Sequence, residues 1–230
     1  MTLSGKLIVI DGADGAGKGT QTELLVKRLG NDGQKVETFD FPRYEDGVFG
    51  KLVGECLSGK HGDFRHMDPY VASLPFTLDR VSVRDDIDKA LIEGNVVVCN
   101  RYTPSNIAYQ AAKFPAISDQ NGYITFMETG EYGELVLPEP DLVIYLSVPI
   151  RVSQQLLLKK EERGYLEGAK KDQHEADSGY QADVQKVFER LCEERNNWKK
   201  IVCGSMRGGG EIFNPEEIHD MVYWEVRGLQ

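Results

Sequence analysis

Three groups of residues in this chain could do chemistry. The first is Gly12-Ala-Asp-Gly-Ala-Gly-Lys18, spaced G-x-x-x-x-G-K. Glycines at that spacing let backbone N–H groups turn inward around phosphate oxygens, and a helix starting behind them adds the positive end of its dipole. Lys18 is then a mobile point charge for a transferring phosphate, with Gly12, Gly15, Ala16, Gly17, Gly19 and Thr20 as its cradle. The motif carries weight where a strand precedes it and a helix follows.

The second group sets aromatic rings beside arginines: Phe41-Pro-Arg43-Tyr44, Phe76-Thr-Leu-Asp-Arg80, and Asn100-Arg101-Tyr102 followed by Ser105-Asn-Ile-Ala-Tyr109-Gln110. On a helix Phe76 and Arg80 share a face, so the ring can stack on a planar base while the guanidinium donates to its edge. The third is residues 156–177 (LLLKKEERGYLEGAKKDQHEAD), dense in charge with two glycines. It reads either as a solvated helix and loop or as a lid that closes on anionic substrates. Its acidic end, Asp172 to Asp177 around His174, suits a lid hinge, a sugar contact or a capped helix start. A lone histidine there is a poor metal site.

The elements that must position these groups alternate. Residues 6–11 (KLIVID) read as a buried strand, 12–20 as a glycine-rich turn, and 21–29 as a helix through Leu24, Leu25 and Leu29. Residues 35–41 (KVETFDF), the apolar run 96–99, 142–148 (LVIYLSV) and 200–203 read as four further strands. Helical patterns between them include 68–93 and 183–199. Such alternation predicts an α/β fold whose parallel strands are joined by right-handed crossovers. Ligands of such sheets bind at the carboxyl ends of the strands, where the phosphate loop, Phe41–Arg43 and Asn100–Arg101 fall. The loop 204–210 after the fifth strand is, by topology, a wall for a nucleotide base.

With 37 acidic against 27 basic residues, the formal net charge is −10. That argues against nucleic acid or anionic membranes as partners, since both need broad basic surface. Anions must instead meet local basic clusters. A chain of 230 residues suits one domain, 1–230, with a lid at about 156–177. No stretch approaches the ~20 apolar residues of a membrane span, and no signal-peptide core is evident. Cys56, Cys99, Cys192 and Cys203 form no C-x-x-C pair. They read as free thiols, so a reducing, cytoplasmic location is expected.

Taken in order, and with Pro140-Asp141-Leu142-Val143 opening the fourth strand, these motifs resemble the thymidylate kinase (dTMP kinase) family of P-loop nucleoside monophosphate kinases. The resemblance spans residues 6 to about 203. It implies a five-stranded parallel sheet flanked by helices, a P-loop kinase fold with a mobile lid, ATP and Mg2+ as co-substrate and cofactor, and a homodimer. The implied reaction is ATP + dTMP → ADP + dTDP. By the same resemblance, Phe76 and Arg80 hold thymine, Arg43 and Arg101 lie on or near the dTMP phosphate, Phe41 belongs to the dTMP site, and Ser105 and Tyr109 line the thymidine site. Gln110 is adjacent to it. Tyr109 crowds the ribose 2′ position, and Asp14 contacts the sugar.

Four departures matter. Gly19 stands where the motif usually has a Ser or Thr ligand to magnesium. The G-K-G-T form is that of adenylate kinase-like monophosphate kinases, and it leaves the metal to substrate phosphates and water, with Thr20 and Asp11 as candidate ligands. Asn100 replaces an aspartate that many relatives hold near magnesium. Arg43 comes one residue earlier than in many relatives. Gly15 occupies a position where some relatives carry an arginine in the loop. The catalytic arginine must then come from the lid, as Arg163, with Lys159, Lys160, Lys170 and Lys171 as alternatives.

Other acceptors (dUMP, dCMP or UMP) are the nearest alternative, and Gly19 and Asn100 keep an inactive nucleotide-binding relative open. No N-K-x-D loop is present to read guanine as a GTPase switch does. The apolar face 71–76 suits either the core or a dimer contact.

Overall fold

The computed structural model describes residues 4–149, 152–153, 178–204 and 212–229. The lid segment expected at about 156–177, with Arg163 and its four lysine alternatives, lies outside the described residues, as does 205–211 of the loop after the last strand.

Five strands form one sheet: β1 (Lys6–Gly12), β2 (Val36–Asp40), β3 (Val96–Asn100), β4 (Leu142–Ser147) and β5 (Trp198–Val202). Their order is β2-β3-β1-β4-β5, and every pairing is parallel. The expected five-stranded parallel α/β sheet flanked by helices is therefore present. Val9 stands opposite Cys99 on one side and Val143 on the other. β-branched runs such as Leu-Ile-Val-Ile and Val-Val-Val suit strands covered on both faces.

The helices are α1 (Lys18–Asn31), α2 (Gly47–Leu57), α3 (Pro69–Val81), α4 (Arg84–Ile92), α5 (Thr103–Ala111), α6 (Ile117–Glu128), α7 (Ser178–Glu194) and α8 (Pro215–Arg227). The strands' two-residue period sorts the core into two layers. Leu7, Val9, Val97, Cys99, Val143 and Tyr145 pack with Ile87 and Leu91 of α4 and with Val184, Phe188 and Leu191 of α7. Ile8, Ile10, Val98, Ile144 and Leu146 pack with Leu25 and Leu29 of α1 and with Ile218 and Val222 of α8. A smaller cluster of Val53, Cys56, Leu57, Phe64 and Ala72 ties α2 to α3.

Three boundaries differ from the sequence expectation. The helical pattern over 183–199 ends at Glu194, because Trp198 and Lys199 already belong to β5. Helix α1 begins at Lys18 and not at residue 21, because Gly17 takes a left-handed φ of 85° as its N-cap. Gly19 thereby falls in a first turn, whose N–H groups have no helical partner in any case. The pattern over 68–93 divides into α3 and α4. Ser82 Oγ donates to the Asp79 carbonyl at 2.7 Å, a local bond that competes with the helical ladder. The 71–76 face resolves as well: Ala72 and Ser73 are buried, whereas Val71 and Leu74 are exposed beside Tyr70 and Leu78. Among the described residues no helix is long and apolar enough to cross a membrane.

Candidate active site

The carboxyl ends of β1, β2 and β3 open into a cavity of about 740 Å3. At its phosphate-loop wall stand Gly15, Ala16, Gly17, Lys18, Gly19 and Thr20. The loop turns because Gly12, Gly15 and Gly17 take φ values of 149°, 79° and 85°, a region open to glycine. A Cβ at Gly12 would also lie 2.7 Å from the Leu146 carbonyl oxygen of β4. Lys18 is buried. Its Nζ donates to the carbonyls of Gly12 at 3.1 Å and Ala13 at 2.9 Å, and lies 3.7 Å from Asp14 Oδ1. Burial and repulsion by the Arg101 guanidinium pull its pKa down to about 8, against the attraction of Asp14 and Asp11.

Arg101 leaves β3 with φ 63°, a left-handed conformation that costs a non-glycine residue roughly 1–2 kcal/mol. Its own N–H donates to the Ile10 carbonyl at 3.0 Å, and its side chain is gripped from several sides. Nη2 donates to Asp14 and Nη1 to Ser105 Oγ at 3.2 Å. Tyr109 Oη donates to the other Asp14 oxygen at 3.0 Å. Burial is the largest single influence on Arg101 and works against its charge, but Asp14, Tyr109 and Asp11 together outweigh it and hold the pKa well above the ordinary range. Asp11 is fully buried, and burial raises its carboxyl against the pull of Arg101 and Lys18. Its Oδ1 accepts from the Gly12 N–H at 2.8 Å and from Ser105 Oγ at 2.7 Å.

The same cavity is also lined by Phe76, Arg80, Asn106 and Gln110. The Phe76 ring is half-buried and packs on Phe64 with centroids 6.0 Å apart. Arg80 is buried against Glu131, with Nε 3.0 Å from Oε2. Asn106 Nδ2 donates to the Ser73 carbonyl at 3.2 Å. The side-chain oxygens of Asn106 and Gln110 are buried with no hydrogen-bond partner among the described residues. Buried acceptors of this kind call for a donor, which a ligand in the cavity would supply. Ile212, Phe213, Pro215 and Ile218 give the same cavity an apolar wall on α8 and the strand-five side.

Hard oxygen donors are few. Asp40 and Asn100 both line the cavity, joined by an Asn100 Nδ2 to Asp40 Oδ1 bond of 2.8 Å. Asn100 Oδ1 is buried without a hydrogen-bond partner among the described residues, and Thr20 is exposed. No cluster of three or more His, Cys, Asp or Glu stands ready for a metal among the described residues. This sparse oxygen set fits Mg2+, which keeps several waters and binds chiefly through phosphates. It would not hold a metal that needs a full protein cage.

A profile of the family described as Thymidylate kinase matches residues 10–206. The chain is 31% identical over 199 residues to the thymidylate kinase of Mycobacterium tuberculosis, covering 86% of this chain and 91% of that one. The chain belongs to the thymidylate kinase family. It is 33% identical over 235 residues to a probable thymidylate kinase of Pyrococcus horikoshii, covering 99% of this chain and all of that one. A thymidylate kinase structure from Candida albicans shares the fold, with a TM-score of 0.67 at 23% identity over 97% of this chain and 91% of that one. Membership makes the chain a phosphotransferase.

Of the thymidylate kinase site residues expected from sequence, Asp14, Gly15 to Thr20, Phe41, Phe76, Arg80, Arg101, Ser105 and Tyr109 all line this one cavity. Gly12, Asp11 and Arg43 do not. Gly12 turns behind the loop, and Asp11 braces the loop and Ser105 from within. Arg43 directs Nη1 to Ser82 Oγ at 3.1 Å, and its backbone N–H donates to Asp79 Oδ2 at 2.9 Å. Five residues were not singled out from sequence: Asp40, Asn106, Glu131, and Ile212 and Phe213 just before α8. Asn106 carried a signal, since it stands four before Gln110 on one helical face.

Proposed function

We propose that this cavity performs ATP-dependent phosphorylation of dTMP to dTDP, with the acceptor at the Phe76–Arg80 end and the donor over the phosphate loop. The observation that carries the reading is that one cavity is lined by the Lys18 loop, by Arg101 and by the Phe76 ring with Arg80 beside it. Phe76 stacks on thymine, Arg80 donates to its edge, and an unpartnered oxygen of Asn106 or Gln110 accepts from its single ring N–H, N3–H. Tyr109 and Asp14 face the sugar. Arg101 receives the acceptor phosphate as a planar bidentate donor, and Arg43 lies further out. Ile212 and Phe213 suit the adenine.

Phosphoryl transfer needs positioning and positive charge more than a covalent catalyst. Lys18 and Arg101 supply charge on either side of the transferred group, and the lid at about 156–177 brings Arg163 as a further clamp. Bound Mg2+ would neutralise phosphate oxygens. Asp40, Asn100 and Thr20 would hold its waters, while Asp11 acts from behind the loop. The whole chain acts as one domain. A homodimer is supported by the exposed apolar face of α3, where Tyr70, Val71, Leu74 and Leu78 adjoin Phe126 of α6, with Tyr70 and Phe126 centroids 4.8 Å apart. Four free cysteines support a reducing, cytoplasmic setting.

The test is a coupled ADP-release assay over dTMP, dUMP, dCMP and UMP. Highest kcat/KM on dTMP is expected. Strong preference for another acceptor, or nucleotide binding without turnover, overturns the reading.

A further inference from the structure

Glu131 is a carboxylate at 1% exposure, in a π-helical turn, Thr129–Glu134, that continues α6. Such turns are uncommon and recur at functional sites. Its oxygens gather donors from two other helices. Thr77 Oγ1 is 2.6 Å from Oε1, Thr103 Oγ1 is 2.6 Å from Oε2, Arg80 Nε is 3.0 Å from Oε2, and Arg80 Nη2 donates to Oε1. The Nε–Nη2 edge of Arg80 thus lies flat on the carboxylate as a bidentate pair. A buried pair of this kind stabilises little against an apolar replacement, because both ions are desolvated. Its effect is to fix geometry.

A guanidinium is planar and carries only donors. With its Nε–Nη2 edge on Glu131 and Nη2 also 3.5 Å from Thr77 Oγ1, the guanidinium keeps its Nη1 N–H groups for another acceptor. Nη1 makes no hydrogen bond among the described residues, and Arg80 lines the cavity. We propose that Glu131 is a positioning residue that locks Arg80 as a donor-only reader of the pyrimidine 4-position, and so sets discrimination between a 4-carbonyl and a 4-amino base. The proposal rests on the reading of the base end given above. Thymine and uracil present a carbonyl acceptor to Arg80. Cytosine presents an amino donor, and two donors then face each other in a buried site. Thr77 and Thr103 satisfy the other lone pairs of the carboxylate, so Glu131 has no freedom to rotate and release the arginine.

The test compares wild type, Glu131→Gln, Arg80→Met and the double variant. Calorimetric binding of dTMP and dCMP and KM for ATP are read for each. Glu131→Gln keeps the shape but loses the charge that orients Arg80. Its dTMP affinity is expected to fall about ten- to a hundredfold, its preference for dTMP over dCMP to shrink by a similar factor, and its KM for ATP to stay put. In the Arg80→Met background, Glu131→Gln should change neither dTMP affinity nor the preference further. The double variant strands no buried charge, so it reports even where a single variant fails to fold.

Unchanged dTMP affinity in Glu131→Gln, an equal loss of ATP and dTMP affinity, or a double variant that keeps the wild-type preference would each overturn the proposal. Wild type that binds no pyrimidine monophosphate defeats the functional reading itself, and this proposal falls with it. Wild type that prefers dTMP, with variants that prefer it equally, defeats only the role of Glu131.

Discussion

Lys18 should take up a proton when a nucleoside triphosphate binds. In the free protein its pKa is pulled from 10.5 to about 8, first by burial and then by Arg101. The difference corresponds to about 3 kcal/mol between the charged and neutral forms. A triphosphate seated in the loop replaces carbonyl dipoles with full negative charge, and an opposite charge in contact restores the ammonium. At pH 8.5 a lysine of pKa about 8 is roughly one quarter protonated, so binding takes up about three quarters of a proton. At pH 8 the uptake is about one half and at pH 7 about one tenth. Apparent affinity should therefore weaken about tenfold from pH 7 to pH 9.

The assay is titration calorimetry of a non-hydrolysable ATP analogue at pH 8.5 in buffers of different ionisation enthalpy. At that pH the phosphates themselves are fully ionised. The slope of heat against buffer enthalpy is the proton count. An uptake below about 0.2 protons, or an affinity flat from pH 7 to 9, would refute the argument.

The sign for stability is opposite to that of a paired lysine. Between about 8 and 10.5 the unfolded chain binds more protons at this position than the folded one, so unliganded stability rises with pH through that window and the full penalty applies below it. Lys113 is also lowered to about 8, mainly by burial, and tilts stability the same way. It does not line the cavity, so nucleotide-linked proton uptake isolates Lys18.

Three other outcomes are expected. At Gly50 a Cβ would lie 1.9 Å from the Arg43 carbonyl oxygen and 3.0 Å from Arg43 Cα, so Gly50→Ala must displace the backbone that carries Arg43. Thermal unfolding should show a loss of about 1–3 kcal/mol, with KM for dTMP raised and KM for ATP unchanged; equal KM values would detach Arg43 from the acceptor. Arg163→Ala should lower kcat about a hundredfold or more, in the manner of arginine fingers, with dTMP affinity spared, and full kcat in steady-state assays counts against the lid arginine. Tyr109→Ala should relax discrimination against the ribonucleotide UMP, measured as the ratio of kcat/KM on dTMP and UMP. An unchanged ratio would remove Tyr109 from the sugar.

What the residues alone revealed was what is local. The phosphate loop is seven contiguous residues whose spacing dictates its turn, and the buried strands are β-branched runs. Phe76 and Arg80 share a helical face by their spacing, and both line the cavity. What stayed hidden is what the chain assembles over distance. Glu131 meets Thr77, Arg80 and Thr103 from 28 to 54 residues away, and Thr-Gly-Glu-Tyr-Gly-Glu reads as a solvated acidic loop until a π-helical turn aims one carboxylate inward. Asp40 is ambiguous for a related reason. On an edge strand with an exposed pattern, nothing in KVETFDF separates a solvated aspartate from one that receives Asn100.

The net charge of −10 suggests a positive pocket within an acidic surface, yet three of the cleft's cations already hold carboxylates. Lys18 and Arg101 share Asp14, and Arg80 holds Glu131. The two arrangements differ in what a substrate can do to them. Asp14 lines the cavity among the phosphate-loop residues, so an incoming phosphate competes with it directly for both cations. Its charge offsets part of the cost of burying the two cations. Glu131 is sealed behind Arg80, and its lone pairs are taken by hydroxyls and the guanidinium, so no ligand displaces it. One carboxylate can therefore be displaced by an incoming anion, so phosphate binding should respond to salt. The other is permanent and governs orientation, so base selectivity should be nearly indifferent to salt.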